Sequence, residues 1–268
     1  MRASWLAHPW PKASHGWGTL VRRKKQIPFG NDKGTGIALG LAVVLLMGAA
    51  VGNAQETATS EQPADQKAKA QVVFDFERPG LQVPKFTMTV NEDGTGRYVA
   101  DEIFPAAKGA SSTAPETQHV DRAIVLSAAG TAQIFASARA LERFNVTCAS
   151  AMKGIADTGK KTLKYSGADG DGACTYNFSE NKRVVALTDM FLAIALTIDT
   201  GRKLDFEHRF DRLGLDATMA SLTEEMDSGR AMEPVTIAST LKSIARDSEV
   251  LERVRLRATR LLKQAQVD

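Results

Sequence analysis

Residues 34–55 contain no charged side chain, and this run divides the chain into a leader and a domain. Its core, Ile37-Ala38-Leu39-Gly40-Leu41-Ala42-Val43-Val44-Leu45-Leu46-Met47, follows Arg22-Arg23-Lys24-Lys25 and Lys33. Small residues ending in Gly52-Asn53-Ala54 come after it. Basic, then apolar, then small is the order of a secretory signal of bacterial type. The apolar core is shorter than the roughly 20 residues that span a bilayer. Residues 1–54 are therefore expected to be a signal peptide cleaved after Ala54, with an uncleaved N-terminal anchor as the alternative. In both cases the basic flank stays inside and the bulk of the chain ends outside the cytoplasm, in the periplasm, on the membrane's outer face or secreted. Membrane contact is expected only through residues 34–54, if they are retained. Trp5, Trp10 and Trp17 fit neither a signal nor a domain, and a non-AUG start near Leu20 or Val21 would remove them.

The leader also distorts the charge. Residues 1–54 hold seven of the 34 Lys/Arg and one of the 31 Asp/Glu, so residues 55–268 carry 27 basic against 30 acidic groups. The formal +3 of the whole chain becomes about −3 in the domain, so nucleic acid is not an expected partner. At 43% hydrophobic and 24% charged, the composition is that of a globular protein.

Residues 55–71 lack apolar periodicity and read as a flexible spacer. Beyond them, Val72, Phe74 and Phe76 alternate with Val73, Asp75 and Glu77, and Phe86, Met88 and Val90 with Lys85, Thr87 and Thr89. The turn Asn91-Glu92-Asp93-Gly94 and the return Arg97-Tyr98-Val99-Ala100 predict a β-hairpin with one apolar face. Residues 105–118 read as a surface loop, and Ile124-Val125-Leu126 as a short strand. Ser127 is placed to cap a helix reaching about Phe144. A second helical stretch is expected over 147–157, then a hairpin of 161–165 with 173–178 around Asp169-Gly170-Asp171-Gly172. The nearly uncharged 184–198 predicts a central buried helix. From 204 onward the pattern is helical: Asp216 caps a helix to about Asp227, Pro234 opens the next to about Asp247, and Ser248 caps the last to about Gln264. The fold class is α+β, with N-terminal hairpins and packed helices over 72–203 and an all-helical third over 204–268.

Two cysteines, Cys148 and Cys174, outside any Cys-x-x-Cys pair, predict a disulfide in an exported protein. His208, flanked by Asp205 and Asp211, is the raw material for acid–base chemistry, which would make the chain an extracytoplasmic hydrolase. No nucleophile elbow accompanies it. With only His119 and His208 in the domain and no His-Glu-x-x-His, no metal or cofactor is expected. Asp169-Gly170-Asp171-Gly172 lacks the later ligands of a calcium loop and reads as a turn. Arg253, Arg257 and Arg260 line one face of the last helix, suited either to solvent or to an acidic partner.

Ile237-x-x-x-Leu241-x-x-Ile244-Ala245-x-Asp247, followed by Val250-Leu251-x-x-Val254-Arg255-x-x-Ala258-x-x-Leu261-Leu262, resembles one HEAT-type helical hairpin. The resemblance covers about 30 residues and implies two antiparallel helices and a binding surface. The stretch Asp211 to Met226 lacks the Val-Arg-x-x-Ala element of a second copy, and such repeats need several copies to close a core. The expectation for function is a non-enzymatic binding or scaffolding protein of the envelope or the secreted fraction.

Overall fold

A computed structural model describes residues 69–104 and 115–266, all within one unit of the chain. The leader, most of the spacer and much of the 105–118 loop lie outside the described residues.

Six strands form one antiparallel sheet: β1 (Gln71–Glu77), β2 (Lys85–Asn91), β3 (Thr95–Phe104), β4 (Glu116–Val125), β5 (Lys160–Gly167) and β6 (Gly170–Tyr176). Their order is β4-β3-β2-β1-β5-β6. Register follows the period-two pattern. Tyr98, Met88, Phe74, Leu163 and Cys174 lie in one row across five strands, and all five are buried. The opposite face carries Thr87, Asp75, Thr162 and Thr175 in register, so one side is wetted and the other packs.

The helices are α1 (Ala128–Ala140), α2 (Lys182–Phe210), α3 (Arg212–Asp227), α4 (Ala238–Arg246) and α5 (Glu252–Gln264). Ser127 caps α1 by accepting from the Gly130 N–H at 3.0 Å. α2 is the spine. Its first half buries Val184, Leu187, Phe191, Ile194 and Ile198 against the sheet, with Phe191 stacked on Phe74 at 4.9 Å. Beyond Ile198 the same helix joins a second apolar cluster with α3, α4 and α5, built on Leu204, Leu215, Met219, Leu222, Leu241, Ile244, Val254, Ala258 and Leu261. α2 is long and apolar enough to cross a membrane by composition, but its apolar face is consumed by these two clusters.

Several expected boundaries move. α1 ends at Ala140, and Glu142, Arg143 and Phe144 follow with φ of 52°, 57° and 67°. That left-handed turn is unfavourable for non-glycine residues; full burial of Phe144 holds it in place. Residues 147–157 form no helix. Gly154 takes φ 73°, and the segment's backbone bonds sideways, Ser150 N–H to the Phe178 carbonyl. β4 runs from Glu116, further than its apolar end suggested, because an edge strand tolerates the exposed Thr117, Gln118 and His119. α2 continues to Phe210, and Asp211, not Asp216, caps α3. Leu251, not Ser248, precedes α5.

Candidate functional site

Cys148 and Cys174 form a disulfide, with Cα atoms 5.8 Å apart and both residues buried. Cys148 sits in the irregular stretch after α1 and Cys174 on the inward face of β6, so the bridge pins that stretch to the sheet. Asn145 adds a hydrogen bond from Nδ2 to the Asp171 carbonyl at 2.8 Å. The glycines of Asp169-Gly170-Asp171-Gly172 serve this approach: a Cβ on Gly172 would lie 2.3 Å from the Arg143 carbonyl.

His208 does not meet Asp205 or Asp211. Its Nε2 lies 2.9 Å from Asp247 Oδ2, at the end of α4. Asp247 also accepts from Arg212 at 3.3 Å and from the Glu249 N–H at 2.9 Å. These hydrogen bonds, together with charge from Arg212 and His208, hold the Asp247 carboxyl below the usual range. Asp205 pairs with Arg209 at 3.1 Å, and Asp211 caps α3. The polar cluster between helices is thus a clasp joining the α2–α3 corner to the α4–α5 corner. Phe210 and Leu213 stand out from that corner, 67% and 94% exposed.

Arg253, Arg257 and Arg260 of α5 point outward but are engaged. Arg253 donates to both oxygens of Asp216 at 2.8 and 2.9 Å, Arg257 to the same carboxylate at 2.7 Å, and Arg260 to Asp227 at 2.7 Å. Asp216, expected only as a cap, is the anchor for two of them, and its carboxyl is held low chiefly by the Arg253 hydrogen bonds.

Ionisable groups at three places in the fold were not singled out from the sequence: the half-buried Asp199 with its neighbours, and the buried Lys161 and Glu207. Asp199 and Arg202 of α2 meet Tyr98 and Glu102 of β3. The Tyr98 hydroxyl donates to the Asp199 carboxylate at 3.0–3.1 Å, and Arg202 pairs with Glu102 at 2.8 Å. Burial pushes Asp199 up to about 7, against the lowering effects of Tyr98 and Arg202. Lys161 points into the fold from β5. Its ammonium donates to the carbonyls of Thr158, Gly159 and Asn177 at 2.8–2.9 Å, and burial lowers it to about 8. Glu207 is buried with Oε1 accepting from Thr218 at 2.9 Å, and burial raises it. The available signal was phase: Lys161 shares the inward alternation of Leu163 and Tyr165, and Asp199 directly follows the buried Ile198.

Among the described residues no group of three or more His, Cys, Asp or Glu is arranged to hold a metal ion. No protein-family model matches the chain, and no curated protein matches it.

Proposed function

We propose that this protein is exported and acts outside the cytoplasm as a non-enzymatic binding or scaffolding protein of the cell envelope or secreted fraction. The observation that carries this reading is the buried Cys148–Cys174 disulfide, a bond that persists in oxidising compartments and is rare in the cytosol. The charge-free run after a basic cluster supports the same location. The binding reading is supported by where the charged side chains of the helical third go. His208, Arg212, Arg253, Arg257 and Arg260 each engage a carboxylate of the fold itself, which suits a framework better than a reaction centre. The HEAT-like pattern over 237–262 and the exposed Phe210–Leu213 corner support a surface that other molecules contact.

Expression of the full chain in a bacterial host, followed by fractionation and protease treatment of intact spheroplasts, tests the location. The domain should appear in the periplasm, the membrane or the medium, and removing residues 34–54 should strand it inside. Recovery of intact, unprocessed protein in the soluble cytoplasm would overturn the reading.

A further inference from the structure

β4 is one edge of the sheet, and α2 leaves the sheet on that side. The helix crosses the strands in turn. Thr188 meets Tyr176 of β6, Phe191 stacks on Phe74 of β1, and Asp199 and Arg202 meet Tyr98 and Glu102 of β3. From Arg202 to its end at Phe210, α2 advances by about 12 Å at a helical rise of about 1.5 Å per residue. Strands lie only about 4.8 Å apart, so the last two turns run out past β4 on the packed side. They carry the Asp205–Arg209 pair and the exposed Phe206 and Phe210. The opposite edge is closed: Asn145 bonds the Asp171 carbonyl of β6, and Gly172 lies against the Arg143 carbonyl.

The β4 edge is open. The Leu126 N–H donates to the Gly94 carbonyl at 2.9 Å, which sets the phase of the β3–β4 ladder. Val120, Arg122 and Ile124 turn their backbone groups to β3, and Thr117, His119, Asp121 and Ala123 turn theirs outward. Among the described residues these outward N–H and carbonyl groups have no hydrogen-bond partner. Pro115, which lacks an N–H, ends the row.

Arg122 decides what fits there. It lies beside Tyr98 on the packed face, half-buried between Val120 and Ile124. Glu102 and Asp199 on that side answer Arg202 and Tyr98, and Arg122 pairs with no carboxylate among the described residues. A strand laid along β4 would cover this guanidinium, and a covered charge without a counter-ion is costly. An inward charge on an edge strand therefore turns apolar strands away, while a strand with a carboxylate opposite Arg122 gains the pair. A second copy of β4, paired about His119, would place Glu116 there. Each α2 would then project under the other copy's sheet at the same level, because Gln118 and Arg122 pair with Glu102 and Tyr98, which α2 meets. The space admits one extended segment without a helical layer of its own.

We propose that the β4 edge receives an extended acidic segment of another protein by strand addition, bonded to the backbone of Thr117, His119, Asp121 and Ala123 with a carboxylate against Arg122. Such a partner gives the binding reading, on which it rests, a surface and a chemistry.

The test is amide hydrogen exchange followed by NMR on the purified, disulfide-bonded protein. The probe is the acetylated, amidated peptide Lys-Val-Thr-Glu-Thr-Val-Lys, at up to about 1 mM; its valines and glutamate share one face. In the free protein the amides of Thr117, His119, Asp121 and Ala123 should exchange fast, and those of Val120, Arg122 and Ile124 slowly. The peptide should slow the first set. Replacing its glutamate by lysine should weaken binding about tenfold or more, and N-methylation of its threonines should abolish it. Arg122→Gln, which loses no partner within the fold, should fold as wild type and bind both peptides alike. Slow exchange of the first set in the free protein, no response of β4 to the peptide, or equal binding of the two peptides by wild type overturns the proposal. A dimer in sedimentation that protects the same amides assigns the edge to a second copy and overturns it too. Failure at β4 in protein recovered outside the cytoplasm removes this surface alone, whereas recovery in the soluble cytoplasm strikes the reading beneath it.

Discussion

The two sides of α2 are packed with different residues. Toward the sheet the helix meets aromatics: Phe74, Phe76, Phe86, Phe135, Phe144, Tyr98, Tyr165 and Tyr176 are all buried there. Toward α3, α4 and α5 the buried cluster holds Leu, Ile, Val, Met and Ala and no aromatic residue. Helices packed on helices approach to about 8–10 Å, which branched and small side chains suit. Gly201 marks the change, since a Cβ there would lie 2.2 Å from Ile237. The outer layers differ as well. The sheet side is closed by a disulfide, whereas the helical side is closed by arginine and histidine clasps on Asp216, Asp227 and Asp247. The difference teaches that one half rests on a larger, aromatic-rich cluster and one covalent bond, and the other on a smaller aliphatic cluster and screened charges.

The strongest way to break this comparison is Phe191→Ala, which removes the ring stacked on Phe74. It should cost about 3–5 kcal/mol and weaken the near-ultraviolet circular dichroism of the folded domain, since the buried aromatics all lie on the sheet side. Leu241→Ala should cost about 2–5 kcal/mol through the helical cluster, with the folded-state near-ultraviolet signal unchanged. If heating this variant moves far- and near-ultraviolet signals together, the two clusters unfold as one unit through α2; separate transitions would show two. Replacing Cys148 and Cys174 together by Ser should cost about 2–4 kcal/mol on the chain-entropy account for a sequence separation of 26. Exposure to exchange should begin in residues 145–159.

Smaller effects should fall on the clasps alone. Asp216→Asn removes the negative charge and one of the two oxygens that hold Arg253 and Arg257, and its modest loss of midpoint should shrink at about 1 M salt, where the charge is largely screened. The sheet-side variants should be insensitive to salt. Acid sharpens the same contrast. Asp216 and Asp247 are held below 3.8, so their contribution is present above that value and lost as pH falls through their folded values. Below about pH 4, exchange should rise first in α5 and the α4–α5 corner.

What the sequence made legible were the elements whose partners are near in the chain. The β2–β3 and β5–β6 hairpins follow from alternation and turn glycines, and the start of α2 from its uncharged run. The end of α2 was hidden because Asp199, Gly201 and Arg202 look like a stop. They are tolerated there by Tyr98, Glu102 and Ile237, residues distant in sequence. The 147–157 stretch has helix-compatible residues, yet the Cys148 bridge and sideways hydrogen bonds to 177–178 hold it in an irregular path. At the candidate site His208 stood out as a titratable group among carboxylates. Its partner, 39 residues away at Asp247, was not deducible from local spacing.

The most direct measurement of the central claim is non-reducing peptide mapping of the protein isolated from the compartment where it accumulates. An exported domain should yield one cross-linked peptide joining Cys148 to Cys174, from chains recovered outside the cytoplasm, with no thiol open to alkylation before reduction. Chains recovered from the soluble cytoplasm with residues 34–54 intact and both thiols alkylated would contradict it.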